Sequence, residues 1–194
     1  MRRPLRPLVL VALAACGPSK RQRAEGVAAF ATVQRVMQHP RCQNCHIPGD
    51  QPLQHDAGLP HDMSVVRGPA GYGAPGLPCS TCHGIANPPE SYGPDAPPGA
   101  PGWRLPPPDM KMVFIDLTPA ELCETLKDPA RNGHKDFAAL LEHVAHDELV
   151  GWGWHPGGDR APVPPPREEL SAKMKTWLDA GAPCPEPEPR RAAR

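Results

Sequence analysis

Cys42-Gln43-Asn44-Cys45-His46 and Cys79-Ser80-Thr81-Cys82-His83 decide how this chain is read. Both have the form C-x-x-C-H, the attachment signature of c-type haem. The spacing has a chemical reason. Two thiols one helical turn apart can add to the two vinyl groups on one edge of a porphyrin. The next residue then brings an imidazole to the iron as proximal ligand. One five-residue pattern arises easily by chance; two in one chain make a strong signal. The expectation is two covalently attached c-type haems, bound through Cys42, Cys45, Cys79 and Cys82, with His46 and His83 on the metal.

Zinc and thiol exchange are the competing chemistries. Two C-x-x-C pairs can form a four-cysteine zinc site, but Cys45 and Cys82 lie 37 positions apart, longer than the usual ribbon spacing. Zinc also leaves the histidine after each pair without a reason. A thioredoxin-like centre requires a βαβ context, which the Pro/Gly-rich flanks do not offer.

Composition agrees with a chain that needs help to fold. Of 194 residues, 30 are Pro and 18 are Gly, 39% are hydrophobic and only 5% aromatic, low for a globular domain. Lys+Arg and Asp+Glu number 21 each, so no global basic field argues for nucleic acid as a partner. No apolar run approaches the roughly 20 residues that span a bilayer. A haem is a large apolar body, and packing around it is expected to replace the missing aromatic core.

The start of the chain reads as an address. Arg2, Arg3 and Arg6 precede an apolar run from Leu8 to Ala15, and Leu13-Ala14-Ala15-Cys16 resembles a bacterial lipoprotein signal. The expected division is a signal peptide over 1–15, lipidation at Cys16, a tether over 16–23, a two-haem domain over 24–184 and a flexible tail over 185–194. The mature chain would face an oxidising compartment, on the periplasmic side of a bacterial membrane, held there by its lipid. The cysteine count then closes. Lipid takes one and haem four, which leaves Cys123 and Cys184 as a pair free to form a disulfide.

Helical punctuation is readable elsewhere. Arg23 to Gln38 is Ala-rich, with Phe30, Val33, Val36 and Met37 spaced for one face. Thr118-Pro119-Ala120-Glu121 reads as a capping box with Pro at the first helical position. Asp136 caps a helix carrying Phe137, Leu140, Leu141 and Val144, expected to run to Leu149. Glu168 to Ala180 carries Leu170, Met174, Trp177 and Leu178, stopped by Gly181. Pro48 to Pro78 reads as loop with no strand alternation, and Asn87 to Pro108 as an extended Pro/Gly tract. The fold expectation is all-α and cytochrome c-like: short helices and long loops packed around two haems.

A haem that only moves electrons needs a sixth ligand, His or Met. Met110 ranks first, because it follows Pro106-Pro107-Pro108 in a stiff loop. His61, in Pro60-His61-Asp62-Met63, ranks next. His143 and His146 fit a surface or capping role on their helix, and Met37 and Met174 fit apolar helix faces.

Longer stretches than C-x-x-C-H carry a family resemblance. These are His39-Pro40-Arg41-Cys42, the region around His61 ending Arg67-Gly68, and Pro97-Pro98-Gly99-Ala100-Pro101. They continue with Leu126-Lys127-Asp128-Pro129-Ala130-Arg131-Asn132-Gly133 and Leu149-Val150-Gly151-Trp152-Gly153-Trp154. Together they make Val33 to Pro185 resemble the small two-haem c-type cytochrome subunits that accompany bacterial molybdenum hydroxylases, often labelled isoquinoline 1-oxidoreductase subunits. The resemblance implies a dehydrogenase donor, a cytochrome or oxidase as acceptor, and electron transfer rather than catalysis by this chain. The rival classes are a haem enzyme or gas-binding protein with one open iron site, and a zinc-stabilised structural lipoprotein.

Overall fold

Ser19 starts the first helix. Its hydroxyl accepts from the Gln22 amide at 3.2 Å, and the Gln22 side chain accepts from the Ser19 amide at 2.8 Å. This capping box begins α1 at Lys20–Met37, three residues ahead of the Ala-rich pattern that announces it in sequence. The computed structural model describes residues 17–187. The expected signal peptide, the lipidation site Cys16 and residues 188–194 of the tail lie outside them. After α1, His39 caps the single turn α2 (Pro40–Gln43), with Pro40 at its first position.

The segment expected as pure loop holds two hairpins. Strands β1 (Leu53–Gln54) and β2 (Leu59–Pro60) pair antiparallel, Leu53 opposite Pro60. Strands β3 (Gly73–Ala74) and β4 (Leu77–Pro78) do the same, Gly73 opposite Pro78. Each strand has two residues, too short for any alternation of side chains to register. The turn residues that argued against strands are what reverse the chain here.

The helical half follows its punctuation. Thr118 and Glu121 close the expected capping box on α3 (Pro119–Lys127). Asp136 caps α4 (Phe137–His146), which ends three residues early because Asp147 caps a new turn, α5 (Glu148–Gly151). Helix α6 (Arg167–Asp179) ends with Gly181 in the left-handed region at φ 81°.

These helices build their own core. Phe30, Val33 and Val36 of α1, Leu122 and Leu126 of α3, Leu140 and Val144 of α4, and Leu170, Met174 and Trp177 of α6 are buried together. Phe30 and Trp177 meet at 5.1 Å between ring centres. At Gly26 the α1 backbone comes so close to the end of α6 that a β-carbon would stand 2.6 Å from that of Ala180. Cys123 and Cys184 are bridged, with α-carbons 5.6 Å apart, inside the range a disulfide requires. The bridge pins the segment after α6 to α3.

Two corrections follow. The fold is not all-α: among the described residues it is mixed, with six α-helices and two small antiparallel hairpins. Nor is it cytochrome c-like: the helices pack on one another through a shared core. Phe30, Phe114 and Trp177 supply an aromatic core despite their low number, because most of the remaining Pro and Gly lie outside these helices.

Candidate functional site

The first motif is built on α2. Cys42 lies in its turn, and the Cys42 carbonyl accepts from the amides of Cys45 and His46, each at 3.2 Å. The chain is thereby wound so that the two thiols and the imidazole follow one turn. His46 Nδ1 lies 2.9 Å from the Met112 carbonyl, and the His46 amide carbonyl accepts from the Phe114 amide at 2.9 Å. The Phe114 ring stacks on the imidazole, 4.0 Å between centres at 16°. Burial pushes His46 down to about 4, against the Met112 hydrogen bond that raises it. It also pushes the Cys42 thiol up to about 12 and that of Cys45 up to about 11.

The second motif repeats this pattern without the helix. It follows β4 directly, as a 3₁₀ turn over Cys79–Thr81. Cys79 again supplies one carbonyl to two amides, Cys82 at 3.2 Å and His83 at 2.9 Å. His83 Nδ1 lies 2.7 Å from the Pro98 carbonyl. Trp103 stacks on the imidazole at 4.4 Å and 7°, and Trp152 meets Trp103 edge-on at 4.9 Å. The approach of Pro98 depends on Gly99, where a β-carbon would stand 2.2 Å from the Ala86 carbonyl oxygen. Asn87 holds the same corner: its Oδ1 accepts from the Gly99 amide and from Trp152 Nε1, both at 3.1 Å.

Arg67 ties the two motifs together. Its side chain is fully buried, and it donates to the carbonyls of Ile47 at 3.3 Å, Gly49 at 2.9 Å and Pro106. Nε reaches the Asp50 carboxylate at 3.3 Å. Its own carbonyl accepts from the Gly73 amide at 2.9 Å, at the start of the hairpin that delivers Cys79. Lys111 pairs with the same carboxylate at 3.0 Å, and this hydrogen bond, ahead of the guanidinium, holds Asp50 below the ordinary carboxylate range.

The donor set fits a c-type haem at each motif. Cys42, Cys45, Cys79 and Cys82 are free thiols, whereas the other described pair is bridged. Burial favours the neutral form of both imidazoles, the form that binds metal. Anchoring Nδ1–H on a backbone carbonyl leaves Nε2 as the ligating nitrogen and fixes the plane of the ring. An aromatic ring covers one face of each imidazole. Among the described residues no group of three or more His, Cys, Asp and Glu is placed to hold a bare metal ion.

The expected sixth ligands fall in different places. His61 comes to the second motif, its ring centre 6.0 Å from that of His83. Met110 is buried and lines a hollow of about 270 Å³ with Lys111, Met112, Leu117 and Thr125, none from a cysteine motif. Its segment grips His46 from the Nδ1 side, through Met112 and Phe114. His143 is half-buried on α4, 3.4 Å from the Asp147 carboxylate, and His146 is exposed. A larger cavity, about 600 Å³, opens between the 87–96 and 157–160 loops and contains no residue of either motif.

Several residues of the site are silent in the sequence reading: Pro98 and Met112, which act through backbone carbonyls, and Phe114 and Trp103, which stack. Trp103 alone offered a signal, an isolated indole inside a Pro/Gly tract. Comparison with protein-family models, with curated proteins and with solved structures finds no match to this chain.

Proposed function

We propose that this chain is an exported, lipid-anchored dihaem c-type electron carrier. It takes electrons from a partner dehydrogenase and passes them toward a respiratory cytochrome or oxidase. The carrying observation is the duplicated arrangement at Cys42–His46 and Cys79–His83. Each has two free thiols and an imidazole whose Nδ1 rests on a backbone carbonyl and whose face is covered by an aromatic ring. The resemblance to subunits of molybdenum hydroxylases supplies the class of donor, and Cys16 the anchor.

A c-type haem supplies an iron that takes and releases one electron. The residues of the chain do the rest. The cysteine pairs hold the group covalently at two points. Met112 and Pro98 keep the proton on Nδ1 of His46 and His83, so each ring presents its other nitrogen throughout. Phe114 and Trp103 cover the imidazole faces, which lowers the local dielectric there, one of the levers on a haem potential beside the axial ligands.

The test is production of the full chain in a host that matures c-type cytochromes, followed by mass spectrometry and haem quantification. Two covalent haems per chain are expected. Protein with none, carrying stoichiometric zinc, overturns the proposal. In the same host, Cys16→Ser should move the protein from the membrane fraction to the soluble periplasm with its spectrum intact, since lipid chains provide the attachment.

A further inference from the structure

The geometry points to His61 as the sixth ligand at the second motif, opposite His83. This rests on the dihaem reading and adds to it the ligation of one particular iron.

The ring centres of His61 and His83 are 6.0 Å apart, with planes at 65°. A metal–imidazole bond is about 2 Å long, and each ring centre lies about 1 Å behind its nitrogen. Two imidazoles on opposite sides of one metal therefore have centres about 6 Å apart, the separation found here.

The second observation is which nitrogen each ring has left. His61 Nδ1 lies 3.0 Å from the Asp62 carbonyl and His83 Nδ1 2.7 Å from that of Pro98. A neutral imidazole that donates from Nδ1 keeps an acceptor lone pair on Nε2. Each Nδ1 faces a carbonyl oxygen that can only accept, so Nδ1 carries the donating hydrogen and Nε2 is the nitrogen left for a metal.

Third, the backbone holds His61 in place. It directly follows β2, its amide donates to the Pro52 carbonyl at 2.9 Å, and its carbonyl accepts from the Gln51 side chain at 2.9 Å. Each histidine is thus delivered by the end of a hairpin: β2 leads into His61, and β4 into the turn that carries His83. Met63 is 72% exposed and Ile85 is 81% exposed, so each histidine is followed two residues on by an outward-facing apolar side chain.

The experiment uses the full chain with haem attached, and haem content is measured first. In the unaltered protein the second haem should be low-spin and should not bind carbon monoxide when reduced. His61→Ala should keep two haems per chain, turn one of them high-spin, and let that one bind carbon monoxide. Added imidazole should return it to low-spin, a rescue that a merely structural role would not give. His61→Met should instead show the weak red-edge absorption band of a Met–iron bond, and Met63→Ala should change nothing. Two haems with an unchanged spectrum and no carbon monoxide binding in His61→Ala overturn the assignment of His61. An unaltered protein with no haem overturns the dihaem reading itself, and haem content separates the two failures.

Discussion

The two C-x-x-C-H segments share one backbone turn and sit in opposite surroundings. In the first, Phe114, which covers His46, belongs to the helical core and is 6% exposed. In the second, the motif hangs between a two-residue strand and a proline tract, Cys82 is exposed, and the covering ring, Trp103, is half-exposed. Identical local chemistry is therefore tied to global stability in one place and to loop geometry in the other. Damage near the first motif should unfold the protein; damage near the second should alter the site and spare the fold.

The largest expected effect tests the stability side of that contrast. Replacing Cys123 and Cys184 together by Ala opens a loop of 61 residues and should cost about 4 kcal/mol by the loop-entropy model. Denaturant unfolding should show the loss. The absorption of the second haem under native conditions should not change, because the bridge joins α3 to the end of α6, away from the hairpins. A spectrum that changes along with stability would mean that the two regions are one cooperative unit.

A matched pair of substitutions sharpens the comparison. Phe114→Ala removes a buried ring from the core and should cost about 3 kcal/mol. Trp103→Ala should cost well under half as much, and should shift the potential of one haem by admitting water to the His83 face. Equal destabilisation by the two would erase the distinction between core-borne and loop-borne motifs.

How far the sequence discloses this arrangement depends on the range of the interaction. Capping by Thr118 and Asp136 is settled within four residues and is legible in the chain. The Cys123–Cys184 bridge is legible by subtraction, once the other five cysteines are assigned to the proposed haems and lipid. The hairpins are not, because two-residue strands leave no period to read. The site is legible in its cysteines and histidines and illegible in its supports. Pro98 acts through a carbonyl, which any residue could present. What brings it to His83 is a close approach at Gly99 that no local pattern encodes.

The smallest effect concerns Asp50, near the junction of the two regions. Its folded pKa is depressed, so its contribution to stability is present above the unfolded value near 4 and is lost as pH falls through the folded value. The carboxylate is largely exposed, so solvent screens the pair and the gain is small. Asp50→Asn should be slightly less stable than the unaltered protein at pH 7, and the difference should fade as pH falls below about 4 and through the depressed folded value. A gap that persists in acid would assign the role of Asp50 to its hydrogen-bonding shape rather than its charge.

Arg67 has a consequence for rate. Its guanidinium is a rigid planar fork that joins Ile47, Gly49 and Asp50, just after the first motif, to Pro106, while its backbone holds Gly73 ahead of the second. Such a clamp leaves the two segments little freedom to drift apart. Exchange of an electron between two centres falls off steeply with the gap separating them. On the proposed dihaem reading, a fork that fixes the gap would make passage from one centre to the next a constant of the molecule, insulated from the thermal wandering of its loops. A lysine at this position, with a single flexible ammonium, could hold fewer of those carbonyls at once, and hopping would then vary from moment to moment.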